Sequence, residues 1–157
     1  MSTATRAPST LQTGHVGLNV TDLARSVAFY QRLLGLEVTA EGTDPDRRFA
    51  LLGRDGTLVL TLWQQSSGTF ATGTPGLHHL SFQVATVEEV RAAEALLTGL
   101  GAEFAYEGVV PHSEGGTSGG IFFTDPDGIR LEVFTLAGVE ATGATAPDPA
   151  APTCGFF

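Results

Sequence analysis

Two short stretches decide the fold: HVGLNV at residues 15–20 and HLSFQV at residues 79–84. Each begins with histidine and then alternates apolar residues with small or polar ones, the two-residue period of a β-strand with two different faces. In the first stretch Leu18 lies on the apolar face, whereas His15 and Asn19 share the opposite face. Two such strands in one chain predict an internal repeat.

The residues after each of these strands predict a helix and then three further strands. Asp22 and Thr86 stand where helix N-caps are expected, and a glycine follows each run of helical periodicity. An Asp-Gly turn precedes the last strand of each repeat, at 55–56 and 127–128. The pattern therefore predicts an α+β fold built from two βαβββ modules.

The domain boundaries follow from this repeat and from composition. We predict an N-terminal arm at 1–13, one domain at 14–136 and an Ala/Pro-rich tail at 137–157. Within the domain, module one is 14–64, a linker is 65–76, and module two is 77–136. The tail is expected to be extended or disordered except at its end, where two aromatic residues indicate either docking, over a cavity or onto a partner chain, or a mobile end.

Composition excludes several classes of partner. The chain has 17 acidic residues against 8 Lys and Arg, a formal charge of −9 and no cationic cluster, so no nucleic-acid or anionic-membrane surface is expected. Its one cysteine, Cys154, cannot form a disulfide within the chain. No apolar stretch predicts a signal peptide or membrane span. We expect a cytoplasmic protein that binds a small molecule.

The polar faces of the strands carry candidate metal ligands. His15 and His79 stand at equivalent positions of the repeat, and alternation in the last strand puts Glu132 on the polar face. Two imidazoles and one carboxylate leave several positions of an octahedral ion open for substrate or oxygen. The sequence therefore predicts one divalent metal ion bound by His15, His79 and Glu132.

Three segments carry a family resemblance: GHVGLNVTDLARSVAFYQRLLGLEV at 14–38, LHHLSFQV at 77–84 and FFTDPDGIRLEVF at 122–134. Together they resemble the vicinal-oxygen-chelate superfamily, which includes glyoxalase I, type I extradiol dioxygenases, fosfomycin-resistance enzymes and bleomycin-binding proteins. The resemblance implies two modules whose mixed sheets curl into a cup around a metal ion. It also implies a homodimer, since members are often dimers and some build the cup across two chains.

The repeat indicates which activity to expect. Aligning the Asp-Gly turns makes Leu60 the equivalent of Glu132 in module one. The resemblance implies that a glyoxalase-type enzyme would carry a carboxylate at this position. Leucine can neither bind a metal nor accept a proton, and Thr61, which would face the cavity if the register shifted, is a poor base. A glyoxalase-type lyase or isomerase is therefore second to a non-haem Fe(II) dioxygenase of extradiol type. Mn(II), Zn(II), Ni(II) and Co(II) are alternative ions.

The segment from His112 to Glu132 is similar to the extradiol signature, and the resemblance implies that His112 is a catalytic acid/base or hydrogen-bond donor. Two departures weaken this interpretation. Phe122 stands where that family has tyrosine, and Gln64 stands near the place of its second active-site histidine. His78 is adjacent to a predicted ligand, and strand alternation predicts that it turns away from the metal.

Pocket composition favours a planar, oxygenated substrate, because apolar and aromatic walls would alternate with neutral hydrogen-bonding groups. A fosfomycin-type activity ranks lower, since the chain has few arginines and no lysine for a cationic pocket. A metal-dependent binding or resistance protein for a small natural product is the non-enzymatic alternative. The predicted pocket residues are Asn19, Leu60, Trp63, Ser81, Gln83, Phe122 and Phe134.

Overall fold

The computed structural model describes residues 10–148 and Phe156. Each module has the order strand, helix and three strands, so the predicted α+β class is confirmed. Module one contains β1 (Val16–Asn19), α1 (Leu23–Leu34), β2 (Glu37–Gly42), β3 (Phe49–Arg54) and β4 (Thr57–Trp63). Module two contains β5 (Leu80–Gln83), α2 (Val87–Gly99), β6 (Val110–Pro111), β7 (Gly119–Thr124) and β8 (Arg130–Thr135).

Both modules form a four-stranded mixed sheet with the same topology. The strand orders are β1-β4-β3-β2 and β5-β8-β7-β6. In each sheet the first strand of the module is parallel to the last, and the remaining neighbours are antiparallel. The two sheets are not closed on each other. Equivalent positions of the repeat therefore occupy equivalent places in two separate sheets.

Local sequence signals explain the two helices. The Asp22 side chain accepts a hydrogen bond from the Arg25 N–H at 3.0 Å and so caps α1, which ends at Gly35 with a left-handed φ of 61°. Helix α2 begins with a capping box, in which Thr86 and Glu89 each bond the other's backbone N–H. The predicted caps of both helices are confirmed.

The two modules pack through their helical sides and share one hydrophobic core. Polar contacts join them: the Tyr30 hydroxyl donates to buried Asp125 at 2.8 Å, and the Thr21 N–H donates to Asp127 at 2.9 Å in a partly buried contact. Arg25 also pairs with Asp127 at 2.6 Å. This docking leaves the polar face of each sheet exposed, as at Asn19 and other residues of β1 and β5.

The chain after β8 is more ordered than the sequence predicts. A 3₁₀ helix covers Val139–Thr142, and the Val139 side chain is buried in the core. The Val139 N–H donates to the Thr117 carbonyl at 3.0 Å. The expectation of an extended or disordered tail from residue 137 is therefore wrong for this part, because the apolar side chain of Val139 packs into the core next to β6. Among the described residues, no helix is long and apolar enough to cross a bilayer.

Candidate metal centre

Glu132 lies at the middle of the second sheet. Strand β8 runs between β5 and β7, and register places Glu132 beside Ser81 on one side and Phe122 on the other. The Ser81 hydroxyl donates to Glu132 Oε2 at 2.6 Å. The glutamate is only 5% exposed although it lies on the polar face, because its neighbours cover it. A carboxylate that is buried in this way needs hydrogen-bond or ion-pair partners.

Two histidines supply further partners for this carboxylate. His112 Nε2 lies 2.6 Å from Glu132 Oε1, and His79 Nε2 lies 3.5 Å from Oε2. His112 stands in the loop between β6 and β7, where its Nδ1 is 3.1 Å from the Ser118 hydroxyl. Because both ring nitrogens of His112 have partners, its imidazole is held in one orientation toward the carboxylate.

The electrostatics favour an ionised glutamate. Burial by itself raises the pKa of Glu132, but the hydrogen bonds from His112 and Ser81 and the charges of the histidines outweigh it, so the pKa lies below its ordinary value. Burial lowers the pKa of His79, against the opposing attraction of Glu132. Both shifts favour the deprotonated form of the side chain, which is the form that binds a divalent cation.

His15 does not join this cluster within one chain. It is exposed at the start of the first sheet, and among residues 10–148 and Phe156 no three His, Cys, Asp or Glu side chains are grouped to hold a metal ion. The structure thus brings His79 and His112 each into contact with Glu132, without grouping the three around a common ion position, and leaves His15 next to the first strand of the other sheet. The physical reason is that the modules dock through their helices, so that their polar faces do not meet.

The comparisons with known proteins agree with this architecture. Residues 12–133 match the model of the Glyoxalase/Bleomycin resistance protein/Dioxygenase superfamily. The chain belongs to this superfamily. The family resemblance in the sequence is thereby confirmed, whereas the match does not distinguish among the family's activities.

Individual members of the superfamily are similar over most of their length. The trivalent organoarsenical cleaving enzyme of Bacillus sp. (strain MD1) is 30% identical over 141 residues, 89% of this chain and 80% of the relative. A glyoxylase/bleomycin resistance protein/dioxygenase domain from Frankia sp. EAN1pec is 28% identical with a TM-score of 0.67, covering 81% of this chain and 98% of that one. The fosfomycin resistance protein FosX of Listeria monocytogenes, crystallised with Mn(II), is similar in fold (21% identity, TM-score 0.60, 83% and 96% covered).

The strand register shows that Thr61, not Leu60, is the counterpart of Glu132 in the repeat. Thr61 pairs with Gly17 as Glu132 pairs with Ser81. Leu60 is 1% exposed and lies in the core, so its predicted place in the pocket is wrong.

The error has a structural cause. The two Asp-Gly pairs lie in hairpins of different length: Asp55-Gly56 alone joins β3 to β4, whereas residues 125–129 join β7 to β8. The first hairpin also has a bulge next to Gly53, which adds one residue to β4. The inference that this position lacks a carboxylate is unchanged, because the residue is threonine. The Thr61 hydroxyl accepts a hydrogen bond from Trp63 Nε1 at 3.0 Å.

The other predicted pocket residues divide between the two sheets. Phe122 and Phe134 lie with Ser81 around the cluster on the second sheet, with ring centres 6.1 and 5.6 Å from that of His112. Asn19 and Trp63 lie on the first sheet; Trp63 is 39% exposed and stacks on Phe49. Gln83 lines a different cavity, of about 490 Å³, between the two helices.

Two side chains have positions that the sequence did not predict. His78 contacts the predicted ligand directly: its Nδ1 lies 2.9 Å from Nδ1 of His79, the ring nitrogen opposite the one that faces Glu132. Gln64 has a structural role, since its side-chain oxygen accepts a hydrogen bond from the Leu23 N–H at the start of α1. Phe156 lies beside His79 and Phe122, a contact for which the terminal aromatic pair was the only sequence signal. Phe157 and Cys154 lie outside the described residues.

Proposed function

We propose that this protein is a cytoplasmic, metal-dependent enzyme whose small organic substrate binds the metal ion through oxygen atoms. The observation that carries the proposal is the buried, ionised Glu132 facing His79 on the open side of the second sheet. An ionised carboxylate and a neutral imidazole at this separation fit two neighbouring ligand positions of a divalent cation. Such a buried charge is costly without a cation, and a bound ion would compensate it.

His15 is the third ligand in this proposal, supplied by a second copy of the chain. Three observations support the assignment: His15 and His79 directly precede equivalent strands, β1 and β5; Asn19 and Ser81, on the polar faces of these strands, are exposed; and Trp63 is a large exposed side chain on the first sheet. A two-fold homodimer that places the first sheet of one chain against the second sheet of the other would form two identical sites. It would also bury Trp63.

The reaction that we propose is extradiol-type cleavage of a catechol-like ring by O₂. When bound, a metal such as Fe(II) supplies a Lewis acid and a template for the diol and oxygen in adjacent positions. His112 Nε2 lies against Glu132, and if a bound ion took up this carboxylate, Nε2 would be free to exchange a proton with a substrate oxygen. Phe122 supplies an apolar wall without a hydroxyl, so His112 and Ser81 are the hydrogen-bonding groups beside the carboxylate.

Metal analysis and oxygen uptake test this proposal. Protein purified without oxygen should contain iron, and it should consume O₂ with a small panel of catechols to form a ring-opened product. Glu132→Gln should lose the metal and the activity, whereas Glu37→Gln, an exposed glutamate on β2, should keep both. Catalysis that needs no oxygen and proceeds with Ni(II), Co(II) or Zn(II) would instead favour the glyoxalase-type lyase or isomerase. Ligand binding without turnover would favour the binding or resistance protein.

Cleavage of an organoarsenical is a second candidate, because the relative that is 30% identical over 89% of the chain is an enzyme of that kind. Trivalent arsenic prefers thiolate ligands, and the chain has one cysteine, Cys154, two residues before Phe156 in the sequence. Release of arsenite from phenylarsonous acid by metal-loaded protein tests this candidate. It predicts that Cys154→Ser reduces arsenite release and leaves cleavage of catechols unchanged.

A further inference from the structure

The cavity of about 490 Å³ between the two helices lies behind the second sheet, on the side away from the candidate metal centre. Strand register pairs Phe82 with Val133, and both residues line the cavity. The preceding pair, Ser81 and Glu132, belongs to the opposite face, because side chains alternate along a strand. Small-molecule sites have volumes of about 300–1,000 Å³. The cavity is therefore large enough for a small organic ligand and is separate from the proposed catalytic site.

The walls of this cavity are mostly apolar and come from both modules. Leu33 and Val59 of module one line it together with Phe82 and Leu96 of module two. Each of these four side chains packs against the hydrophobic core but is only partly buried. Apolar surface therefore remains accessible in the cavity. A ligand that covers this surface with an apolar chain should gain about fourfold in affinity for each CH₂ group that it buries.

Arg54 supplies a positive charge at the rim of the cavity. It is exposed at the end of β3, and its guanidinium donates a hydrogen bond to the Leu34 carbonyl at the end of α1. A guanidinium has five N–H donors, and in the part of the chain that the structure describes no carboxylate pairs with this one. Glu89, which also lines the cavity, accepts hydrogen bonds from two backbone N–H groups at the start of α2, both at 3.0 Å. Arg54 therefore has donors available for an anionic group.

We propose that this cavity binds a small amphipathic carboxylate, with its apolar chain between the modules and its carboxylate on Arg54. The apolar walls match the chain, and the guanidinium without a carboxylate partner matches the charge. A neutral ligand would leave this charge unused, and an ammonium group would be repelled by it. The site needs no metal ion, so the inference goes beyond the proposed function and can be tested independently of it.

Octanoate, octanol and octylammonium test the end group, because they carry the same chain. Their affinities are measured by calorimetry below micellar concentrations, for the protein as purified and after removal of metal. We expect octanoate to bind most tightly of the three, equally well in both preparations. Hexanoate should bind more weakly than octanoate, by about fourfold for each CH₂ group that it lacks.

Two pairs of variants test the placement of the ligand. Arg54→Gln should weaken octanoate binding about two- to fivefold, as for loss of an exposed ion pair, and leave octanol binding unchanged. Arg32→Gln, at an exposed arginine in the last turn of α1 outside the cavity, should change neither. Ala93→Phe should prevent octanoate binding, because Ala93 lines the cavity and the larger side chain would fill it. Ala95→Phe, at an exposed position of the same helix, should not.

A measurement on the unmodified protein keeps the test independent of how the variants fold. Nuclear Overhauser contacts should join the octanoate chain to methyl groups of Val59 and Leu96. Contacts with His79 in their place, or octanoate binding that is lost when metal is removed, would overturn the proposal, because the carboxylate would then bind at the metal centre. Equal affinities for octanoate and octanol would overturn it as well. So would dissociation of a dimer by Ala93→Phe with octanoate binding unchanged, since a second copy of the chain would then cover the cavity.

Discussion

Mixing two inactive variants tests whether the metal centre is shared between chains. In the proposed dimer each site takes His15 from one chain and His79 with Glu132 from the other. His15→Ala and Glu132→Gln should each be inactive alone. In a mixed dimer one site carries both substitutions and the other carries neither. Random exchange makes about half of the dimers mixed, so about a quarter of all sites should be intact.

The structure also provides the matched control. His79 and Glu132 lie 3.5 Å apart in the same chain, so a mixture of His79→Ala with Glu132→Gln leaves a defect in every site and should restore nothing. The variants are unfolded and refolded together, and tightly bound metal per chain and turnover are measured after removal of excess metal. Recovery in neither mixture would refute the shared site. Recovery in both would refute the assignment of His79 and Glu132 to one site.

Further predictions follow from single contacts. His112→Ala should reduce turnover about 10²- to 10⁴-fold, the range for removal of a general acid/base, with a smaller loss of bound metal. Stopped-flow kinetics measure turnover and metal analysis measures the bound ion. Equal losses of turnover and of metal would contradict this role. Tyr30→Phe should lower the free energy of unfolding by about 1–3 kcal/mol, since buried Asp125 loses a hydrogen-bond donor; urea denaturation measures it. Burial raises the pKa of Asp125 despite hydrogen bonds from Tyr30 and two backbone N–H groups. Folding therefore favours its protonated form, and stability relative to Asp125→Asn should fall as the pH rises from the ordinary aspartate pKa through the raised value. A difference between these two proteins that is constant over this pH range would be evidence against the shift.

Features that depend on near neighbours in the chain were readable from the sequence. The N-caps at Asp22 and Thr86 involve residues three positions apart. The face of each strand follows from alternation, so Glu132 was correctly assigned to the polar face beside Ser81. The repeat itself was visible because both modules must bury one apolar face under a helix. The sequence alone therefore determined the elements, the two-module order and the side of the sheet on which the chemistry lies.

Features that depend on distant contacts were decided only by the tertiary structure. A bulge in one hairpin moved the counterpart of Glu132 from Leu60 to Thr61, because a shift of one residue turns a side chain to the other face. Docking of the modules through their helices separated His15 from His79, and no local pattern encodes which faces of two modules meet. The position of Phe156 likewise depends on contacts with residues far away in the chain. Local periodicity thus specified the two sheets and their faces, whereas packing between the modules decided which side chains share a site.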